Sequence, residues 1–258
     1  MRYRRRSIYY NLVAGLTILI GSCRPSLPQL ELINSKILTS FPSASAIVYD
    51  QGKFFIFGDD APYLLITDSS YQKLDTIRFI ADTGYRLSKQ TKPDIESATI
   101  VSVNNKKYLN AFGSFSTGNR MEIYSFPLDD VHSYLRINYA TFAQQLKEIP
   151  ELNIEGISSV KSKLVMANRA NNTHKINKLI IADSIFYEYK TSITTIIDLQ
   201  LDNKNIIGIS DLCYIKEKDI LLFTASEEDT PNAIEDGVVG DSYLGWFKDF
   251  SKKMELKK

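Results

Sequence analysis

Glu155-Gly156-Ile157-Ser158-Ser159-Val160-Lys161-Ser162-Lys163-Leu164-Val165-Met166-Ala167-Asn168-Arg169 is two short apolar runs folded about a polar turn. Runs this short, rich in β-branched and apolar residues and broken by polar turns, read as β-strands and not as helices. The same pattern opens at three other places: Ser45-Ala46-Ile47-Val48-Tyr49, Glu96-Ser97-Ala98-Thr99-Ile100 and Asp211-Leu212-Cys213-Tyr214-Ile215. The openings recur at intervals of 51, 59 and 56 residues. Each is followed by a turn and a second run: Phe54 to Phe57, Tyr108 to Phe112, Leu164 to Ala167 and Ile220 to Phe223.

Third runs follow at Tyr63 to Ile66, Met121 to Tyr124, Leu179 to Ala182 and Tyr243 to Phe247, and fourth runs at Leu74 to Ile80, Tyr134 to Tyr139 and Ile193 to Leu201. Four strands per period of about 50 residues is the make-up of a β-propeller blade. The expected fold is all-β, a β-propeller of four-stranded antiparallel blades, four of them recognisable and the last incomplete. Only Tyr139 to Glu148 has a helical pattern, an excursion between blades. The orphan run Leu30 to Leu38 offers a strand that would complete the last blade and close a ring; without it the blades form an open arc, with edges that invite pairing. The propeller is assigned to residues 30–247 and a charged tail to residues 248–258.

Ahead of the repeats stand four arginines (Arg2, Arg4, Arg5, Arg6), the apolar stretch Leu12 to Ile20, and Gly21-Ser22-Cys23. This is a signal-peptide layout, and the apolar stretch falls short of the roughly 20 residues a membrane-spanning helix needs. The small residues before Cys23 resemble a bacterial lipobox, which gives a signal peptide over residues 1–22, lipid on the Cys23 thiol, a tether over residues 23–29, and a protein anchored to a membrane of the bacterial cell envelope. Without the leader's arginines, 27 basic residues remain against 30 acidic ones. No basic face for nucleic acid is visible. With Cys23 acylated, Cys213 has no disulfide partner and is expected in the core as a small hydrophobe.

Three blocks carry a family likeness: Glu155-Gly156-Ile157-Ser158, Ala167-Asn168-Arg169, and Gly113-Ser114-Phe115-Ser116 with Arg120. They resemble an uncharacterised group of bacterial propeller lipoproteins distantly similar to the esterase-like phytase family, over Ser43 to Trp246. The resemblance implies a propeller, at least one further blade in complete members, and a calcium-dependent phosphoesterase as one reading of function.

In a meander, the start of the first strand and the end of the second lie at the same end of the blade. Asp59, Asp60, Glu96, Arg120, Glu155, Asn168, Arg169, Asp211 and Glu227 should therefore ring one mouth of the channel. Glu96, Glu155 and Asp211 form the candidate metal set, suited to calcium because it prefers oxygen ligands. The phytase-like resemblance implies that Arg169 or Arg120 would hold phosphate. The ring either binds a small polar or phosphorylated ligand or a protein partner, or only lines a hydrated tunnel. The acidic loop Glu227 to Asp236 lacks the ligand spacing of an EF-hand. No nucleophile elbow, phosphate-binding loop or dinucleotide fingerprint occurs, and His132 and His174 have no companion at metal-ligand spacing.

Overall fold

A computed structural model describes residues 31, 33–183, 192–201, 205–229, 232 and 237–255. Cys23, the expected signal peptide and the expected tether lie outside these residues, as do Glu235 and Asp236 of the acidic loop. Residues 38–258 form one compact unit, distinct from residues 1–37.

That unit is all-β, four antiparallel blades in a β-propeller. Blade 1 holds β1 (Ala44–Asp50), β2 (Lys53–Gly58), β3 (Tyr63–Asp68) and β4 (Lys73–Arg78). Blade 2 holds β5 (Ile95–Val103), β6 (Lys106–Gly113), β7 (Glu122–Pro127) and β8 (Leu135–Asn138). Blade 3 holds β9 (Ile154–Val160), β10 (Lys163–Asn168), β11 (Asn177–Asp183) and β12 (Ile193–Leu199). Blade 4 has three described strands, β13 (Ile207–Ile215), β14 (Ile220–Glu228) and β15 (Val239–Lys248). The innermost strands β1, β5, β9 and β13 stand beside one another in that order.

Local chemistry sets the hairpins. Gln51-Gly52 and Asn104-Asn105 are two-residue loops with both residues at positive φ, the turn whose twist matches paired strands and which favours Gly and Asn. Three apolar layers then join the blades. Phe57, Leu64, Phe79, Leu109 and Phe126 lie between blades 1 and 2. Phe112, Ile123, Ile157, Met166 and Ile180 lie between blades 2 and 3. Val165, Leu179, Ile209, Leu212 and Leu221 lie between blades 3 and 4. The far face of blade 1 packs under Leu38 and Phe41. Among the described residues, no apolar core joins blade 4 to blade 1.

The excursion between blades 2 and 3 is helical as expected, α1 (Ala140–Ala143) followed by a 3₁₀ turn, with Phe142 and Leu146 buried in the layer it covers. Two readings are corrected, and the charged tail proves to hold a short helix. Residues 31 and 33–38 of the orphan run form no strand, and β15 pairs with β14 alone among the described residues. The expected tail carries α2 (Phe250–Glu255), whose Phe250 is buried against blade 4 while its amide bonds to the Asp219 carbonyl at 3.1 Å. Cys213 is exposed, because strand alternation sends its neighbour Leu212 into the layer against blade 3 and the thiol to the opposite face. No helix among the described residues is long and apolar enough to cross a membrane.

Candidate functional site

Every innermost strand carries a one-residue β-bulge at the same place. The ladder between the first two strands of each blade skips Ser45 in β1, Glu96 in β5, Glu155 in β9 and Ser210 in β13. A bulge leaves one residue unpaired and re-aims its side chain, so these four are the equivalent positions at the channel mouth. The repeat read from sequence aligned Asp211 with Glu96 and Glu155. The register places Ser210 there and Asp211 one residue further on, where its backbone fills the space beside Gly156.

Arg169, just past β10, is the hub of the blade 3–blade 4 side and is 8% exposed. Its guanidinium donates to Ser210 Oγ at 2.9 Å, Ser226 Oγ at 2.9 Å and Glu228 Oε2 at 2.6 Å, and lies 3.5 Å from Glu155 Oε2. Gly208 makes room for it, since a Cβ there would fall 2.6 Å from Arg169 Cγ. Asn168 is structural: its Oδ1 accepts the Asn153 amide at 2.7 Å, and Asn153 in turn donates to Glu155 Oε1 at 2.7 Å. Of the adjacent acids Glu227 and Glu228, it is Glu228 that meets Arg169. Glu227 instead accepts from the Tyr243 hydroxyl at 2.6 Å and from Asn205 at 2.7 Å, and with Glu228, Asn172 and Asp229 it lines a cleft of about 560 Å³.

The blade 1–blade 2 side is built on residues of the connecting segment that the repeat did not reveal, Lys92 and Asp94. Arg120 bonds to Asp94 Oδ2 at 2.8 Å and to Ser116 Oγ at 2.9 Å, and Ser114 Oγ donates to the same Asp94 oxygen at 2.6 Å. Lys92 reaches Asp94 Oδ1 at 2.7 Å and also pairs with Asp59 Oδ2. Asp60 is held by Arg86 at 2.7 Å. Among the described residues, the second oxygens of Asp59 and Asp60 are buried without a hydrogen-bond partner.

Glu96 stands apart. Among the described residues its carboxylate makes no hydrogen bond or ion pair, yet it brings an oxygen within 4.8 Å of oxygens of Asp59 and Asp94. The carboxylate set that could share one cation is therefore Asp59, Asp94 and Glu96, not Glu96, Glu155 and Asp211, because Glu155 is turned toward Arg169 and Asp211 is outside the bulge. Lys92 already touches two members of that set.

The electrostatics follow from this imbalance. Burial pushes Glu96 well above the ordinary carboxylate range, and the charges of Glu155, Asp94 and Asp59 add to it. Glu155 is also raised by burial, with Arg169 and Asn153 opposing. Asp211 is pushed up to about 7 by burial, with the charge of Glu155 adding and the Leu212 amide opposing. Burial alone would lower the Lys92 ammonium, but Asp59 and Asp94 hold it protonated above its usual range. Six carboxylates, Asp59, Asp94, Glu96, Glu155, Asp211 and Glu228, thus face three cations, Lys92, Arg120 and Arg169, each already engaged by an acid.

Residues 40–258 match the profile of DUF6929, a family of unknown function. The chain belongs to this family. No curated protein matches it. The DUF6929 chain is similar in fold to several solved structures, all distant in sequence. A GH43 β-1,3-galactosidase with galactodeoxynojirimycin has a TM-score of 0.39 and 14% identity, covering 79% of this chain and 70% of that one. A DUF4221 member from Bacteroides vulgatus has a TM-score of 0.37 and 13% identity, covering 81% and 65%. The β-propeller domain of Myceliophteria thermophila Cps50 (Swd1) has a TM-score of 0.34 and 12% identity, covering 81% and 74%. The chain thus spans about two thirds of the length of the DUF4221 structure.

Proposed function

We propose that this DUF6929 chain is a lipid-anchored protein of the bacterial cell envelope whose propeller binds a small cationic ligand at the channel mouth, with calcium as the simplest occupant. The observation that carries the reading is Glu96, aimed by its bulge toward Asp59 and Asp94 with no ion pair of its own among the described residues. An all-oxygen set of carboxylates suits a hard divalent cation. On binding, Lys92 would yield Asp59 to the ion and keep Asp94. The phosphoesterase alternative asks Arg120 or Arg169 to meet phosphate, and the engagement of Arg120 by Asp94 and of Arg169 by Glu228 weighs against it.

The test is thermal melting of the full chain with calcium chloride, with spermidine, and with chelator. Calcium should raise the Tm, and Glu96→Gln should abolish the rise while its metal-free Tm at neutral pH lies no lower than that of the wild type, because the buried carboxyl is gone. No shift with either cation would sink the ligand assignment, and chelator-sensitive turnover of a generic phosphomonoester would move the function to the alternative. For the anchor, the wild-type chain expressed in a bacterium should sediment with membranes and Cys23→Ser should be released from them.

A further inference from the structure

Asp59, Asp94 and Glu96 bring carboxylate oxygens within 4.8 Å of one another, but the corner they make is not an open cage. Asp94 stands at a positive φ of 56° just ahead of β5, and its carbonyl accepts the Ser114 amide at 2.9 Å. Its Oδ2 is taken by Arg120 and by Ser114 Oγ, which leaves Oδ1 to Lys92 at 2.7 Å. Asp59 gives its Oδ2 to Lys92, and its Oδ1 is buried without a partner among the described residues. Glu96 is bare. The corner therefore has one half filled by an ammonium and one half lined by oxygens with nothing to bind.

The backbone puts Lys92 there deliberately. The Thr91 and Lys92 amides both donate to the Ser88 carbonyl, at 3.0 and 2.9 Å. Asn119 Nδ2 donates to the Gln90 and Lys92 carbonyls at 3.2 and 3.3 Å, and Pro93 restricts the next φ. The turn is thus pinned at both ends, and it delivers a lysine side chain that is only 13% exposed. A lysine carries a compact charge on a flexible stem, so the ammonium can leave Asp59 and stay on Asp94 while the turn keeps its place.

We propose that Lys92 selects the ligand: it is a tethered ammonium that a divalent metal ion displaces from Asp59 and that a free amine does not. This rests on the cation reading of the Asp59, Asp94 and Glu96 corner. An amine that took the place of Lys92 would exchange one ammonium for another of equal charge and equal hydrogen bonds, and would lose its own translational freedom in doing so. An amine that entered beside Glu96 would meet the repulsion of Lys92 with a single charge to set against it. A divalent ion at the same distances draws on each carboxylate about twice as strongly as a single charge does. Asp59, once released, joins Glu96 in supplying it with oxygens. The lysine thereby sorts cations by charge, a distinction that three bare carboxylates would make less sharply.

The experiment melts the full chain at pH 8 and constant ionic strength with calcium chloride or with spermidine, whose alkylammonium ends copy the lysine terminus. For the wild type, calcium should raise the Tm by several degrees and spermidine by less than about 1 °C. Lys92→Ala removes both the charge and the stem, and both cations should then stabilise the chain. Lys92→Arg keeps the charge and should restore the rejection of spermidine. If Lys92→Ala loses the strand signal in circular dichroism, the wild type decides: its calcium midpoint should not move in excess spermidine, and a midpoint displaced to higher calcium would overturn the proposal. Spermidine that stabilises the wild type as it does Lys92→Ala, or a Lys92→Arg chain that admits it, would overturn the role of Lys92 and leave the cation site standing. A wild type silent to calcium beside a responsive Lys92→Ala would make the lysine a block and not a selector. No response from any of the chains to either cation would remove the cation site itself.

Discussion

Asp211 holds its proton up to about pH 7 because its carboxyl is taken out of water and feels the charge of Glu155. In the unfolded chain the same group ionises near its ordinary value of 3.8. The folded state therefore binds the extra proton between those limits, and its stability falls as pH rises through that window. Glu96 and Glu155, raised in the same direction, steepen the fall. Melting of the cation-free chain should show a Tm several degrees higher at pH 5 than at pH 8, and Asp211→Asn should flatten part of the slope. A Tm that climbs over this range would contradict the placement of these acids. This residue also shows where sequence reading stops. An acid opening an apolar run is visible in the string, but whether the bulge falls on Ser210 or Asp211 is decided by hydrogen-bond register with β14, which has no local signature. Lys92 and Asp94 escaped for a related reason, since they lie in an irregular connection outside any repeat.

The strands themselves were legible, because short apolar runs between polar turns are a local property that tertiary packing only has to respect. What the runs could not show is how closely the blades approach. Gly156 in β9 sits where a Cβ would fall 2.8 Å from the Asp211 backbone of β13. A contact with backbone cannot be relieved by turning a side chain, so Gly156→Ala must push blades 3 and 4 apart. The expected cost is about 1–3 kcal/mol, the usual range for overpacking, read as a lower midpoint in urea with an unchanged m-value. A neutral outcome would mean the two innermost strands are less tightly apposed than described. Cys213 illustrates the same limit from the other side: Leu212-Cys213-Tyr214-Ile215 reads as core, but alternation gives each face of a strand its own environment, and among the described residues no further blade lies on the face carrying the thiol.

For the whole molecule, stability is transmitted from blade to blade through three apolar layers in series. Among the described residues, blades 2 and 3 are covered on both faces, while blades 1 and 4 each contribute one face to such a layer. In an arrangement with nearest-neighbour coupling, opening should begin at the ends. Hydrogen exchange on dilute protein should find the slowest amides in β6, β7, β10 and β11 and the fastest strand amides in β15. Uniform protection from β1 to β15 would argue for a single closed cooperative unit at that dilution.

The bulged positions have a consequence for how such a protein can change. Ser45, Glu96, Glu155 and Ser210 sit outside the ladders that hold the blades, so exchanging one of them alters the chemistry of the mouth and leaves the pairing grammar of the fold untouched. The propeller is in this sense a frame with four interchangeable letters. A lineage, or a designer, can rewrite the message at the mouth one letter at a time without reopening the question of how the chain folds.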